Sequence, residues 1–164
     1  MKLSQIWQEI SNITVSVILD VLTKAQRQKN MRAIKSKGSR IEKILGKAMW
    51  GRGIRYRKHS KKVFGKPDFT IKKYMIAIFC DSEFFHGKDW ETAKKKIKSN
   101  RKFWYSKIES NIKRDLLVNQ KLQKEGWIVI RFWGDDIKQR TNYCVSVVES
   151  TIGRRIAENE KQNT

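Results

Sequence analysis

The sequence predicts an α/β fold with helices packed around a central mixed sheet, and three observations carry that reading. Ile41, Ile44, Leu45, Ala48 and Met49 keep helical spacing, and two short apolar runs follow, Phe69 to Ile71 and Tyr74 to Cys80. A long helical stretch then leads into a further apolar run, Trp127 to Trp133. The resulting order, α, α, β, β, α, β, α, is that of layered α/β domains. At 164 residues, with no repeat and no Pro/Ser-rich linker, the chain suits one domain over 20–157. Residues 158–164 read as a polar tail.

Residues 1–19, mildly amphipathic through Ile6, Trp7, Ile10 and Ile13, read as an N-terminal extension. Ser39 is the expected cap of the helix carrying Ile41 to Met49, because its hydroxyl can accept from N–H groups the first turn leaves free. Gly51 and Gly53 end that helix. Glu42 shares a row with Leu45 and Met49 and so borders the apolar face. Pro67, the only proline, presets φ just ahead of the first strand. Lys72-Lys73 separates it from the Tyr74–Cys80 run, which is apolar enough to be a central strand. Gly126 stops a helix predicted from Arg101 to Glu125, and Val145, Val148, Ile152 and Ile156 space a closing one.

Charge narrows the function. The chain has 37 Lys or Arg against 16 Asp or Glu, a net charge of +21. From Lys24 to Lys66 the only acid is Glu42. Such a balance favours a polyanion, nucleic acid ahead of an anionic membrane surface. An apolar share of 39% with abundant aromatics excludes a disordered basic tail. The longest apolar stretch, Ile13 to Leu19, is interrupted by Thr and Ser and falls far short of the ~20 residues of a membrane span. No signal cleavage pattern follows it. Cys80 and Cys144 read as reduced, buried thiols of a cytosolic protein. There is no GxGxxG, no GxxxxGK[ST], no CxxC and no HExxH, so a nucleotide cradle, a zinc finger and a zinc protease are all unsupported.

Five acids or histidines could carry chemistry. Asp68, at the start of a strand, could hold Mg²⁺ or simply be a turn residue after Pro67. Asp81, at a strand end, could meet Asp68 from the neighbouring strand and complete a metal site. His86 could take a proton from water; alternatively Phe84 and Phe85 are core and His86 is merely exposed. Glu42 could orient such a base, or pair with Lys43 or Lys47 on the surface. Trp104, Ile108, Asn111, Asp115, Asn119 and Leu122 line one row of the long helix. Its polar members need partners if buried, but a helix edge reaching solvent is the simpler expectation. The other histidine, His59, lies in the basic run Arg55 to Lys62.

Taken together these elements resemble the very short patch repair (Vsr) DNA mismatch endonucleases. The resemblance runs through Asp20-Val21-Leu22-Thr23, Arg27 to Ile34, Ser39-Arg40-Ile41-Glu42 and Gly65-Lys66-Pro67-Asp68-Phe69. It continues through Phe79-Cys80-Asp81, Phe84-Phe85-His86-Gly87, Phe103-Trp104, Lys107-Ile108, Asn111, Arg114-Asp115 and Gly126-Trp127. It implies a restriction-endonuclease-like three-layer fold with a central mixed β-sheet flanked by helices. It also implies a Mg²⁺-dependent endonuclease nicking one strand beside a T mispaired with G, the product of 5-methylcytosine deamination.

Carried onto this chain, the resemblance makes Asp68 a metal ligand, with Asp81 and the Cys80 carbonyl on the metal side. His86 becomes the catalytic histidine, Glu42 the acid paired with it, and Asp115 an acidic site residue. Phe84, Phe85 and Trp104 match aromatic wedges between bases, and Met31 a wedge from the other groove. Arg27, Lys29, Arg32, Lys35, Lys37 and Lys66 are the expected phosphate contacts. The implied setting is double-stranded DNA containing a T·G mismatch, bound by a monomer without a membrane. That monomer would work at the nucleoid in the bacterial cytoplasm, linked to a DNA cytosine methyltransferase. The chain departs from the family around His86, where Glu83, Lys88 and Trp90 stand in place of zinc ligands, so no structural zinc is expected. The competing readings are a catalytically inactive DNA-binding module and a sequence- or structure-specific nuclease of the same fold.

Overall fold

A computed structural model of the chain describes residues 38–162 together with Thr23 and Gln26. The expectations for residues 1–19, for a helix ahead of Ser39, and for Arg27, Lys29, Met31, Arg32, Lys35 and Lys37 lie outside the described residues. The chain divides into two compact units, Met1–Ser36 and Lys37–Thr164. In the first, Thr23 and Gln26 exchange side-chain-to-backbone hydrogen bonds of 2.8 and 3.2 Å, the reciprocal pattern that starts a helix.

The second unit holds the sheet. Its first helix, α1 (Arg40–Gly51), begins in a full capping box: Ser39 Oγ accepts from the Glu42 N–H, and the Glu42 carboxylate accepts from the Ser39 N–H. It buries Leu45 and Met49 as the spacing predicts. Four strands follow, β1 (Arg57–Lys58), β2 (Phe69–Ile71), β3 (Ile76–Asp81) and β4 (Ile128–Trp133), paired in that order. β1 and β3 run antiparallel to β2, and β4 is parallel to β3. The sheet is therefore mixed, and the parallel pair requires a crossover. That crossover contains the short α2 (Trp90–Ala93) and the long α3 (Arg101–Lys124). After β4 come α4 (Gly134–Gln139) and α5 (Thr141–Gln162).

Period-two alternation divides the side chains between two faces. Ile76, Ile78, Ile130 and Phe132 join Leu45, Met49, Val145 and Val148 in the larger core, with Cys80 packed against it. Ala77 and Phe79 join Val118 and Leu122 of α3 in the smaller one. Helices thus cover both faces, α1 and α5 on one and α3 on the other. This is the flanked mixed sheet that was expected.

Three boundaries differ from the sequence reading. β3 starts at Ile76 rather than Tyr74, because Lys72–Tyr74 forms a 3-10 turn and Met75 takes a left-handed φ of 52°. β1 is two exposed residues with no apolar signal to announce it. Gly134 to Gln139, beyond the last predicted strand, coils into α4. No described helix is long and apolar enough to cross a membrane.

Candidate active site

The site assembles where β3 ends and β2 begins. Gly65 and Lys66 both take positive φ, 73° and 52°, and the fixed φ of buried Pro67 then delivers Asp68 to the edge of β3. A Cβ on Gly65 would lie 2.4 Å from Val118 Cγ1, so this turn can only pack on α3 if it carries no side chain there. Asp68 Oδ2 accepts a 2.7 Å hydrogen bond from the Cys80 N–H, which fixes the carboxylate against the central strand.

Beyond β1 the register continues: the His59 N–H donates to the Asp68 carbonyl at 3.2 Å. His59 thereby faces Asp68 across the strand pair. Its Nε2 lies 3.1 Å from Glu42 Oε2, and its Nδ1 lies 3.8 Å from Asp68 Oδ1. Glu42, 5% exposed, also accepts from the Gly38 and Ser39 N–H groups, each at 3.0 Å. Glu42 thus faces Nε2 of the ring and Asp68 faces Nδ1.

Glu42, His59 and Asp68 each offer an atom within 4.8 Å of the others'. Two carboxylates and an imidazole this close fit a divalent cation. Burial pushes the Asp68 carboxyl up to about 6. The Cys80 N–H and His59 oppose that shift, and the Glu42 and Asp81 carboxylates add to it. A carboxyl so placed gains charge stabilisation from a cation beside it. Cys80 itself is no nucleophile: burial, with the Asp68, Glu42 and Asp81 carboxylates, drives its thiol far up and keeps it neutral.

A second group gathers at the end of β3, beside α3. His86 Nδ1 lies 2.6 Å from Asp115 Oδ2 and 3.5 Å from Asp81 Oδ1. Arg131 Nη1 contacts Asp81 Oδ2 at 2.7 Å, and its Nη2 lies 3.3 Å from Asp115 Oδ1. Burial works against ionising Asp115, but the His86 hydrogen bond and the Arg131 charge outweigh it and hold its carboxyl below the usual carboxylate range. Nδ1 is therefore the donor in the His86–Asp115 bond, and Nε2 is the nitrogen left able to take a proton.

Two expectations are corrected here. The acid beside His86 is Asp115, while Glu42 stands with His59. α1, which carries Glu42, packs on the face of Cys80, whereas Asp81, Arg131 and α3 belong to the face of Phe79. Asp81, 4% exposed, is tied to Arg131. The polar row of the long helix is not a solvent edge. Asn111 Nδ2 donates to the Phe85 carbonyl at 2.9 Å, Asp115 holds His86, and Asn119 Oδ1 accepts from Arg131 Nε at 2.9 Å. His59 and Arg131 were the residues that sequence reasoning missed.

Around His86 the chain is closed by ordinary polar bonds. Glu83 Oε1 accepts from the Asp135 N–H at 2.6 Å, the Lys88 N–H donates to the Glu83 carbonyl at 2.9 Å, and the Lys88 ammonium sits over the Trp133 ring. Gly87 has a positive φ of 65°, and a Cβ there would lie 2.6 Å from Ile112 Cδ1. Next to this loop Phe84, Phe85, Phe103 and Trp104 pack together, three contacts edge to face at 5.0–5.2 Å and Phe85–Trp104 tilted at 6.2 Å. Phe84 and Phe103 stay 43% and 59% exposed. They are unspent apolar rings at the mouth of a charged site, which is not how a settled core looks.

A two-faced, basic α/β domain with a carboxylate–imidazole cation group and a histidine–carboxylate pair at one strand end has the make-up of a nuclease. Comparison with known proteins agrees and is more specific. The family model of the DNA mismatch endonuclease Vsr matches residues 19–92. The chain is 52% identical over 134 residues to a type II nicking enzyme of Neisseria meningitidis serogroup C, covering 82% of this chain and 90% of that protein. It is 52% identical over 138 residues to a type II nicking enzyme of Haemophilus parainfluenzae, covering 84% and 98%. With the DNA mismatch endonuclease Vsr of Escherichia coli K12 it shares 36% identity over 115 residues, covering 70% and 72%. The chain belongs to the Vsr family and is a DNA endonuclease.

Proposed function

We propose that this endonuclease nicks one strand of duplex DNA beside a T mispaired with G, with Mg²⁺ as its cation. The observation that carries the reading is the His86–Asp115 bond of 2.6 Å set at the same strand end as the Glu42–His59–Asp68 group. Hydrolysing a phosphodiester needs a proton acceptor for water and positive charge for the phosphate oxygens, and these two groups offer one each. Asp68, with the Cys80 carbonyl beside it, is the place for the cation. Glu42 serves that side by holding His59. When bound, the cation neutralises charge building on the phosphate and lowers the pKa of its water.

His86 Nε2 takes the proton from the attacking water, and Asp115 holds the ring and stabilises the imidazolium that results. Phe84, Phe85 and Trp104 enter the stack beside the mismatch, where unpairing costs least. Lys66, exposed at the turn before Asp68, adds a phosphate contact, as do Arg27, Lys29, Arg32, Lys35 and Lys37, with Met31 entering from the other groove. The enzyme is taken to act as a monomer at the nucleoid, in the cytoplasm, following a DNA cytosine methyltransferase.

Matched T·G and T·A duplexes incubated with Mg²⁺ or EDTA test this. Nicking of the T·G duplex alone, abolished by EDTA, is the expected result. Equal nicking of both duplexes at one sequence would instead make this a sequence-specific nicking enzyme.

Phe84→Leu is expected to erode T·G over T·A discrimination while Tm stays close to the starting value, because the ring is exposed. A large loss of Tm with discrimination intact would make the ring core. The His86 loop is proposed to be held without zinc, so elemental analysis of protein purified without chelators should show far less than one zinc per chain. A full equivalent surviving dialysis would reverse that reading.

A further inference from the structure

We propose that Arg131 is the positioning residue of the His86–Asp115 pair, fixing it by holding Asp81 and Asp115 on a single guanidinium. The proposal rests on the reading of His86 as the proton acceptor.

Arg131 projects from β4 toward α3 and uses its whole fork. Nη1 meets Asp81 Oδ2 at 2.7 Å, Nη2 meets Asp115 Oδ1 at 3.3 Å, and Nε donates to Asn119 Oδ1 at 2.9 Å. Its flat face lies 4.4 Å from the centre of the Phe79 ring. Residues of β3, β4 and α3 are thereby locked in one arrangement directly under His86.

Two carboxylates face the same imidazole nitrogen, and this is the problem the guanidinium solves. Asp115 lies at 2.6 Å and Asp81 at 3.5 Å. Left alone, two largely buried carboxylates repel each other, and the ring could turn to either. Arg131 takes Oδ2 of one and Oδ1 of the other. Asp115 is then left with Oδ2 for His86, while Asp81 is held beyond normal hydrogen-bond length. The ring is committed to Asp115, its proton to Nδ1, and its free nitrogen to one direction. A lysine could neutralise the same charge but could not hold two carboxylates and an amide in one plane.

The test compares wild type with Arg131→Gln, Arg131→Lys and the double variant Asp81→Asn/Arg131→Gln. Two quantities are read: the ¹H and ¹⁵N resonances of the His86 ring in ¹⁵N-histidine-labelled free protein, and single-turnover nicking of a T·G duplex with Mg²⁺. Arg131→Gln should lose roughly ten- to a hundredfold in rate, keep duplex affinity within a few fold, and shift or lose the Nδ1–H resonance. Arg131→Lys should fail to rescue either readout. If Arg131→Gln does not fold, the double variant, which leaves no unpaired carboxylate at position 81, carries the test and should show the same two losses. Wild-type rate and ring resonances in the double variant would overturn the proposal, since Arg131 would then merely neutralise Asp81. Rescue by Arg131→Lys would overturn it as well, because charge alone would suffice. If wild type fails to nick the T·G duplex, the functional reading falls, and the ring resonances of the free protein still decide the positioning role.

Discussion

Asp68→Asn is expected to abolish Mg²⁺-supported nicking and, in EDTA near pH 8, to raise the melting temperature. Both effects come from one placement. Asp68 is the member of the cation group that a backbone N–H fixes against the central strand. Its loss should cost roughly 10²–10³-fold or more in rate, the scale on which fixed charge at a reacting phosphate acts. Without a cation the same carboxylate is a burden, because burial and its carboxylate neighbours raise its folded pKa to about 6. The unfolded value is about 3.9. The folded state therefore binds the proton more tightly, and stability contributed by this group falls as pH rises from about 4 through 6. The full difference corresponds to about 1–3 kcal/mol at pH 8 once solvent access at the site is allowed for. Asparagine keeps an oxygen for the Cys80 N–H and has no charge to bury. Melting curves in EDTA at pH 5 and pH 8 check this: wild type should lose ground to the variant between the two. Added Mg²⁺ should then stabilise wild type only. A variant less stable than wild type at pH 8 without metal would refute the account.

How far the sequence could be read depended on whether each signal was local. Ser39 and Glu42, three residues apart, write the capping box into the chain, and the structure forms it. Pro67-Asp68 ahead of an apolar run likewise placed Asp68 at a strand entry, and the row from Trp104 to Leu122 correctly grouped residues on one side of α3. What failed was long-range pairing. The helical wheel shows that Glu42 points inward but not which face of the sheet it will meet, so His86 and His59 could not be told apart as its partner. His59 enters the site only through the register of a two-residue strand, β1, with no periodicity of its own. Arg131, a charge inside an apolar strand, resembles a side chain reaching for solvent until Asp81, Asp115 and Asn119 are brought around it.

The pairing of the two histidines with different acids makes a further expected result specific. Asp115→Asn should lower the nicking rate by roughly 10²–10⁴-fold, the range for removing general acid–base assistance, because His86 would lose both its orientation and the charge that favours the imidazolium. His86→Ala should cost about as much, and the double variant little more than either alone, since residues that act as one unit do not add. Glu42→Gln behaves differently. Its carboxylate holds His59 and the start of α1, so its loss acts on the cation side. Combined with His86→Ala, its effect should multiply the rate loss far more nearly than Asp115→Asn does. Measuring rates for wild type, the three single variants and both double variants under single-turnover conditions with saturating Mg²⁺ separates the cases. Strong non-additivity between Glu42 and His86, with additivity between Asp115 and His86, would restore Glu42 as the partner of the base. The opposite pattern matches a site built as two halves, Glu42 with His59 and Asp68 in one and His86 with Asp115 in the other, meeting at the end of β3.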